Sequence, residues 1–333
     1  MPALATAAAS ISNATVPMPH VLVAGKIHAD GLALLEAAQG FTVDYVPDAA
    51  NAAYLPHLPK SDALLLRTQP LSAAHIATAP NLKIVSRHGV GYDAVDVAAL
   101  TARNIPLAIV GDVNSRAVAE HTLMLMLATL RRACFYDQAA RSGNWLARNA
   151  FDMQELDGKT VLVVGFGRIG RRVGQLVKAF GAHVLAYDPM MAEFDIAQQG
   201  ASPVADLDAA LGLADVLTLH MPASKSAIIG ERELALMKSS AIIINAARGG
   251  LVDEKVLDAA LRERRIFAAG LDVLADEPPG TGHPLLSNPH VTISPHNAGL
   301  TAECARRMAV AAARNIIDFF AGRLDPKLIV NSN

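Results

Sequence analysis

Three ionisable side chains stand just past apolar runs in the second half of the chain. Arg248 follows Ile242-Ile243-Ile244-Asn245-Ala246-Ala247, Glu277 follows Gly270-Leu271-Asp272-Val273-Leu274-Ala275-Asp276, and His296 follows Val291-Thr292-Ile293-Ser294-Pro295. Their types suit chemistry at a 2-oxo acid. A guanidinium is a rigid fork that grips a carboxylate through two parallel hydrogen bonds. An imidazolium can protonate an alkoxide as it develops, and the neutral ring can take the proton back. A carboxylate beside the ring favours its charged form and fixes its tautomer. Each residue alone has a plainer role. Arg248 before Gly249-Gly250 can cap a turn, Glu277 before Pro278-Pro279 can be a solvated loop acid, and His296 after Pro295 can be structural. Matched in kind and placed on successive strand ends, the three read together as catalytic residues.

Such residues need a hydride carrier beside them. The run Val161-Leu162-Val163-Val164 is followed by Gly165-Phe166-Gly167-Arg168-Ile169-Gly170, and the next apolar run, Val184-Leu185-Ala186-Tyr187, ends in Asp188. This is a G-x-G-x-x-G loop in a strand–turn–helix–strand–acid setting, which predicts dinucleotide binding. The first glycine permits a tight turn, the second lets backbone approach a pyrophosphate, and the third lets the helix pack on the sheet. The helix N-terminus offers free N–H groups to the phosphates. Asp188 can accept a ribose 2′-OH and would repel a 2′-phosphate, so the expected cofactor is NAD. Pro189-Met190-Met191-Ala192 adds no Arg or Lys that could take a 2′-phosphate.

The elements that must position these groups are legible as short Val/Ile/Leu runs. Candidate strands cover 21–24, 41–46, 63–67, 82–86 and 105–109, then 161–164, 183–187, 216–220, 241–245, 268–273 and 291–294. Continuous rather than alternating runs predict parallel strands buried on both faces, hence an α/β chain with two doubly wound parallel sheets. Two long helices, 115–132 and 301–320, bracket the second series. The last one follows a complete sheet, so it is expected to dock back on the first domain. The expected division is an arm at 1–19, a substrate domain at 20–111 and 297–333, and a dinucleotide-binding domain at 112–296, with a hinge and cleft between the domains. The first long helix carries Leu123-Met124-Leu125-Met126-Leu127, apolar on every face. Such a helix must be covered all round, by a deep core position or a subunit interface, and its place between the domains in sequence favours the interface.

In the first half, Arg87-His88-Gly89-Val90-Gly91-Tyr92-Asp93 follows a strand, and its glycines would let backbone N–H groups point at an anion. Arg67, ending the preceding run, is a second candidate anion contact. His88, Gly89, Val90, Gly91 and Arg67 are therefore the candidate substrate residues. His121, beside Glu120 on the long helix, reads as structural. No His/Cys pairing has metal-ligand spacing, and none is expected to bind a metal.

Composition narrows the remaining classes. The 333 residues favour two domains, and 52% hydrophobic residues suffice for two sizeable cores. A net charge of −2 gives no electrostatic case for nucleic acid, and no apolar run reaches membrane-span length. Two cysteines cannot build a disulfide framework and fit a reducing compartment, so a cytoplasmic location is expected. The Ala/Ser/Thr/Pro-rich start lacks the basic stretch of a signal peptide and reads as a flexible arm.

In order, the glycine loop, Asn245-Ala246-Ala247-Arg248-Gly249, Asp272…Asp276-Glu277-Pro278 and Ser294-Pro295-His296 resemble the D-2-hydroxyacid dehydrogenase family. The similarity runs from about His20 to Asn331 and includes Val118-Ala119-Glu120, the 89–96 loop and Gly158-Lys159. It implies a Rossmann-like NAD-binding domain inserted in a discontinuous flavodoxin-like substrate domain, and a homodimer joined through the former. It implies that Arg248 holds the substrate carboxylate, His296 is the acid/base and Glu277 supports it. The 89–91 backbone would help bind substrate, and the product would have the D configuration. Expected cofactor contacts are Gly165, Gly167, Arg168, Ile169, Gly170, Asp188, His220, Met221, Pro222, Ala246 and Asp272. One departure is the loop from Pro222 to Gly230, which is shorter than the family pattern. With no extension after Asn333, the regulatory domain of some phosphoglycerate dehydrogenases is not expected. The expected activity interconverts hydroxypyruvate and glycerate or glyoxylate and glycolate. The alternatives are a 3-phosphoglycerate dehydrogenase, a non-enzymatic NAD-sensing protein on the same fold, and a methyltransferase using the glycine loop.

Overall fold

The computed structural model describes residues 18–332 apart from 49 and 51. The expected flexible arm at 1–19 therefore lies almost wholly outside the described residues. The chain divides into two compact units. Of the described residues, one unit comprises those up to His88, Ala94–Ile109 and those from Ala309 onward; the other comprises Gly89–Asp93 and Val110–Met308. Each is built on one wholly parallel sheet.

The first unit has five strands: β1 (His20–Ala24), β2 (Thr42–Val46), β3 (Ala63–Leu66), β4 (Ile84–Arg87) and β5 (Leu107–Ala108). Their order is β2-β1-β3-β4-β5, the flavodoxin-like arrangement. Leu22, Leu64, Leu66, Val85 and Leu107 face Tyr54, Leu58, Ile76 and Leu100 in one buried cluster. Against Ser86 lies the end of the last helix: the Ser86 hydroxyl donates to the Ala312 carbonyl at 2.9 Å. Asn315 donates to the Ile109 carbonyl at 3.1 Å, and the tail returns to β5, where Val330 N–H donates to Leu107 at 2.9 Å. The C-terminal segment thus completes the unit that the first strands began.

The second unit has seven strands: β6 (Thr160–Val164), β7 (His183–Tyr187), β8 (Ser202–Pro203), β9 (Val216–Leu219), β10 (Ile242–Asn245), β11 (Ala268–Leu271) and β12 (Val291–Ile293). The order β12-β11-β10-β9-β6-β7-β8 reverses direction between β6 and β9, the switch point where such sheets bind ligands. Alternation decides the two faces. Val161 and Val163 join Leu125, Met126, Leu130, Val173 and Val177 on one side. Leu162 and Val164 join Leu211, Leu257 and Leu261 on the other. Both faces are buried, which is why the strands read as unbroken apolar runs. Eleven of the twelve strands were expected from those runs. The exception, β8, is two residues long and contains a proline, which is tolerated at a sheet edge.

Candidate active site

The parallel register aligns the ends of six strands. Val164 is paired with Tyr187 and Leu219, Leu219 with Asn245, Asn245 with Leu271, and Leu271 with Ile293. One residue beyond that row stand Gly165, Asp188, His220, Ala246, Asp272 and Ser294. The first five are expected cofactor residues, widely separated in sequence and brought together by register alone.

The loop after β6 is shaped by what its glycines lack. Gly165 has φ +88°, and a Cβ there would lie 2.6 Å from the His220 carbonyl oxygen. A Cβ on Gly170 would lie 2.1 Å from the Gly165 carbonyl oxygen. A Cβ on Gly167, by contrast, would meet nothing within 4 Å. Two glycines are thus packed against protein backbone, and the middle one borders open space. Gly167 also starts the helix Arg168–Ala179 without any side-chain cap, leaving its first N–H groups free of that competition. Asp188 is held by the loop: one carboxylate oxygen accepts from Phe166 N–H and the other from Met190 N–H, both at 2.9 Å. Burial pushes the His220 imidazole down to about 3, so the ring is neutral, and its Nδ1 is buried without a hydrogen-bond partner. Arg168 and Pro222 are exposed, and Met221 is half-buried. Ile169 packs with Ala246, Ala298 and Val118, linking the glycine loop to the turn that follows His296. An uncapped helix start, an open middle glycine and an orphaned buried nitrogen fit a bound dinucleotide.

Next to this loop His296 and Glu277 come together. His296 Nδ1 lies 2.5 Å from Glu277 Oε2, and the other Glu277 oxygen accepts from Leu274 N–H at 3.0 Å. The Glu277 hydrogen bond raises the His296 pKa above the ordinary imidazole value, against burial and the Arg248 charge. Burial opposes the Glu277 charge, but hydrogen bonds from His296 and Leu274 still hold its pKa below the usual carboxylate range. His296 has φ +50°, in the left-handed region that costs a non-glycine residue roughly 1–3 kcal/mol. Its N–H donates to the Asp272 carbonyl at 2.7 Å. The Asp272 side chain is 1% exposed. It accepts from Ser294 Oγ at 2.6 Å, Asn297 N–H at 3.0 Å and Ala298 N–H at 3.0 Å. Asp272 thus spends its carboxylate on the turn that carries His296.

Arg248 is fixed from below and from the side. Asn245 accepts from Ala247 N–H at 3.0 Å and donates to the Arg248 carbonyl at 2.8 Å, closing a tight turn at the end of β10. Gly249 is required there, since a Cβ would strike the Leu274 carbonyl at 1.9 Å. Arg248 Nε donates to Asp93 at 2.7 Å, and Nη1 donates to the Ala247 carbonyl at 2.6 Å. A Cβ on Gly91 would lie 2.0 Å from Arg248 Nη2, so this glycine makes room for the guanidinium.

The expected substrate residues are divided between the two units. Gly89, Val90 and Gly91 group with the second unit, whereas Arg67 and His88 belong to the first. Arg67 follows β3, half-buried; His88 is buried, its N–H donating to Leu66 at 2.9 Å. Sequence reasoning missed Asp93 as the partner of Arg248. It also missed His121, whose Nε2 lies 2.9 Å from Ser294 Oγ and 3.4 Å from Asp272 Oδ1. Neither had a local signal: the partners are 155 and 173 residues away.

Residues 123–298 match the family described as D-isomer specific 2-hydroxyacid dehydrogenase, NAD binding domain. This chain belongs to that family. The matched segment contains the glycine loop, Asp188, Arg248, Glu277 and His296, and NAD is its cofactor. Family members similar to it include the D-3-phosphoglycerate dehydrogenase of Mycobacterium leprae, 40% identical over 315 residues. That alignment covers 94% of this chain but only 59% of the relative's length. The glyoxylate reductase of Aeropyrum pernix is 35% identical over 321 residues, covering 93% of this chain and 96% of the relative. Among solved structures, the NADPH-dependent glyoxylate/hydroxypyruvate reductase of Sinorhizobium meliloti superposes with a TM-score of 0.83 at 30% identity. It covers 94% of this chain and 97% of that one.

Proposed function

We propose that this chain is an NAD-dependent dehydrogenase that interconverts a small 2-oxo acid and its D-2-hydroxy acid. The observation that carries the reading is the 2.5 Å His296–Glu277 pair, built on the sheet that also carries the glycine loop. NAD held by the 165–170 loop and Asp188 would supply the hydride chemistry at C2. The protein's residues do the rest. Arg248 takes the substrate carboxylate, with Asp93 already on its Nε. Because Glu277 occupies Nδ1, the Nε2 edge of His296 is the one left to meet the substrate oxygen. The hydrogen bond to Glu277 raises the pKa of that ring and so favours its protonated form, the one that gives its proton in reduction. In the reverse direction the neutral ring takes the proton, so oxidation gains as pH rises and reduction loses.

Glyoxylate/glycolate and hydroxypyruvate/D-glycerate are the leading pairs, supported by the nearly full-length match to a glyoxylate reductase. 3-Phosphoglycerate is a second reading, supported by the 40% identity to a D-3-phosphoglycerate dehydrogenase. A homodimer through the NAD-binding unit is part of the proposal: on the long helix Ser115–Leu130, Met124 is 45% exposed amid apolar neighbours. A cytoplasmic location is proposed on the two free thiols, Cys134 and Cys304. NADH oxidation with a panel of 2-oxo acids tests the activity. Turnover of glyoxylate or hydroxypyruvate supports the main reading, and turnover of phosphohydroxypyruvate alone supports the second. Tight NADH binding without any turnover would favour a non-enzymatic NAD-sensing protein.

A further inference from the structure

We propose that His121 is a positioning residue for His296, acting through Ser294 and Asp272 rather than on substrate. The proposal deepens the functional reading above and rests on it for the role of His296.

Ser294 Oγ has one proton, and it lies 2.6 Å from a carboxylate that can only accept. The proton therefore goes to Asp272 Oδ1. His121 Nε2, 2.9 Å from the same Oγ, must then carry a hydrogen and donate it. The second oxygen within its reach, Asp272 Oδ1 at 3.4 Å, is an acceptor as well. Chemistry thus settles the tautomer: His121 holds its proton on Nε2 and points it at the Ser294–Asp272 pair.

This pair is the foundation of the His296 turn. Ser294 ends the strand run, and Asp272 binds the N–H groups of Asn297 and Ala298 through its carboxylate and that of His296 through its carbonyl. Residues on both sides of His296 are therefore tied to Asp272. His121 comes from a different element, the helix Ser115–Leu130, whose neighbouring residues Leu125 and Met126 are fully packed against the sheet. It connects a rigid helix to a turn whose central residue sits at φ +50°. Asp272 is nearly inaccessible to water, so solvent cannot replace a donor removed from the network. A turn released from one restraint would let His296 drift from Glu277, and the geometry of that pair sets the protonation of the ring.

The test reads His296 directly. Histidine side chains are labelled with 13C and 15N, and His296 is assigned by its loss in His296→Asn. Its titration midpoint is then followed in wild type, His121→Phe, His121→Gln and Ser294→Ala. The charged groups facing His296 are Glu277, Asp272 and Arg248, and all are retained in each variant. Phe removes the donor and should lower the midpoint by about half a unit or more, as the Glu277 partner is loosened. Gln offers an amide N–H and should restore most of the shift. Should Phe fail to fold, Ser294→Ala decides, because it removes the bridging hydroxyl without adding bulk; it too should lower the midpoint. A midpoint unchanged in the folded variants overturns the proposal. In parallel, His121→Phe should lower kcat for reduction about tenfold or more and leave the NADH Kd unchanged. In a His296→Asn background the same change should cost nothing further, since its effect runs through His296. An equal loss in both backgrounds would also overturn it. If wild type turns over no 2-oxo acid, the functional reading fails, while the titration still decides whether His121 positions His296.

Discussion

The loop after β6 and the loops after β10, β11 and β12 leave the same edge of the same sheet, yet they are built on opposite demands. In the first, Gly165 and Gly170 touch backbone oxygens at distances that leave no room for a methyl group. What matters there is absent volume. In the second set, the half-buried Arg248 and the exposed Glu277 and His296 are held by hydrogen bonds to Asp93, Leu274 and one another. What matters there is charge and its direction. A small increase in size at Gly165 or Gly170 should therefore be damaging, whereas at Arg248, Glu277 and His296 a loss of charge should be. The lesson is that one sheet edge can present a steric mould and an electrostatic device side by side, because successive strands end on separate loops.

The largest effect is expected at His296. His296→Asn keeps a polar nitrogen near the Nδ1 position but no titratable ring, and kcat for reduction should fall by ~10²–10⁴-fold, the usual range for a general acid. NADH affinity, followed by fluorescence, should stay close to wild type. A variant that kept its rate would remove charge from the account of this region.

Arg248→Lys should rank next, lowering kcat/KM for the acid by roughly 10²-fold. Lysine keeps the charge but cannot hold Asp93, the Ala247 carbonyl and a substrate carboxylate at once. Saturation kinetics with unaltered KM and kcat would show that the fork is not the carboxylate clamp.

Gly170→Ala probes the steric mould. Its methyl would meet the Gly165 carbonyl at 2.1 Å, and backbone must move to relieve it. The expected cost is about 1–3 kcal/mol of stability, read from urea melts, together with weakened NAD binding. An alanine variant with wild-type stability and NAD affinity would show that the loop is not close-packed as described.

Glu277→Gln sharpens the electrostatic side with the smallest effect. The carboxylate raises the His296 pKa, so its neutral replacement should let that value fall toward ~6.5. Reduction needs the protonated ring and is lost as pH rises through its pKa. The basic limb of kcat/KM should therefore move to lower pH, with NADH affinity unchanged. A profile that stays in place at wild-type rate would remove Glu277 from the mechanism.

Much of this was legible in the chain itself. Unbroken apolar runs predicted parallel strands because both sheet faces are covered, and only the two-residue β8 escaped. The glycine loop and Asp188 were readable because their geometry is local: a strand, a turn and a helix start within one stretch of chain. Arg248, Glu277 and His296 were readable as kinds of residue in kindred places. Their meeting was decided by the parallel register, which lines up the ends of β10, β11 and β12. The supporting groups were out of reach. Asp93 and His121 carry no local signal, because a hydrogen bond across 155 or 173 residues depends on where the sheet, the long helix and the 89–93 segment come to rest. Backbone geometry within a turn follows from the residues of that turn. A buried carboxylate finds its donors only after packing has excluded water and left it no other partners.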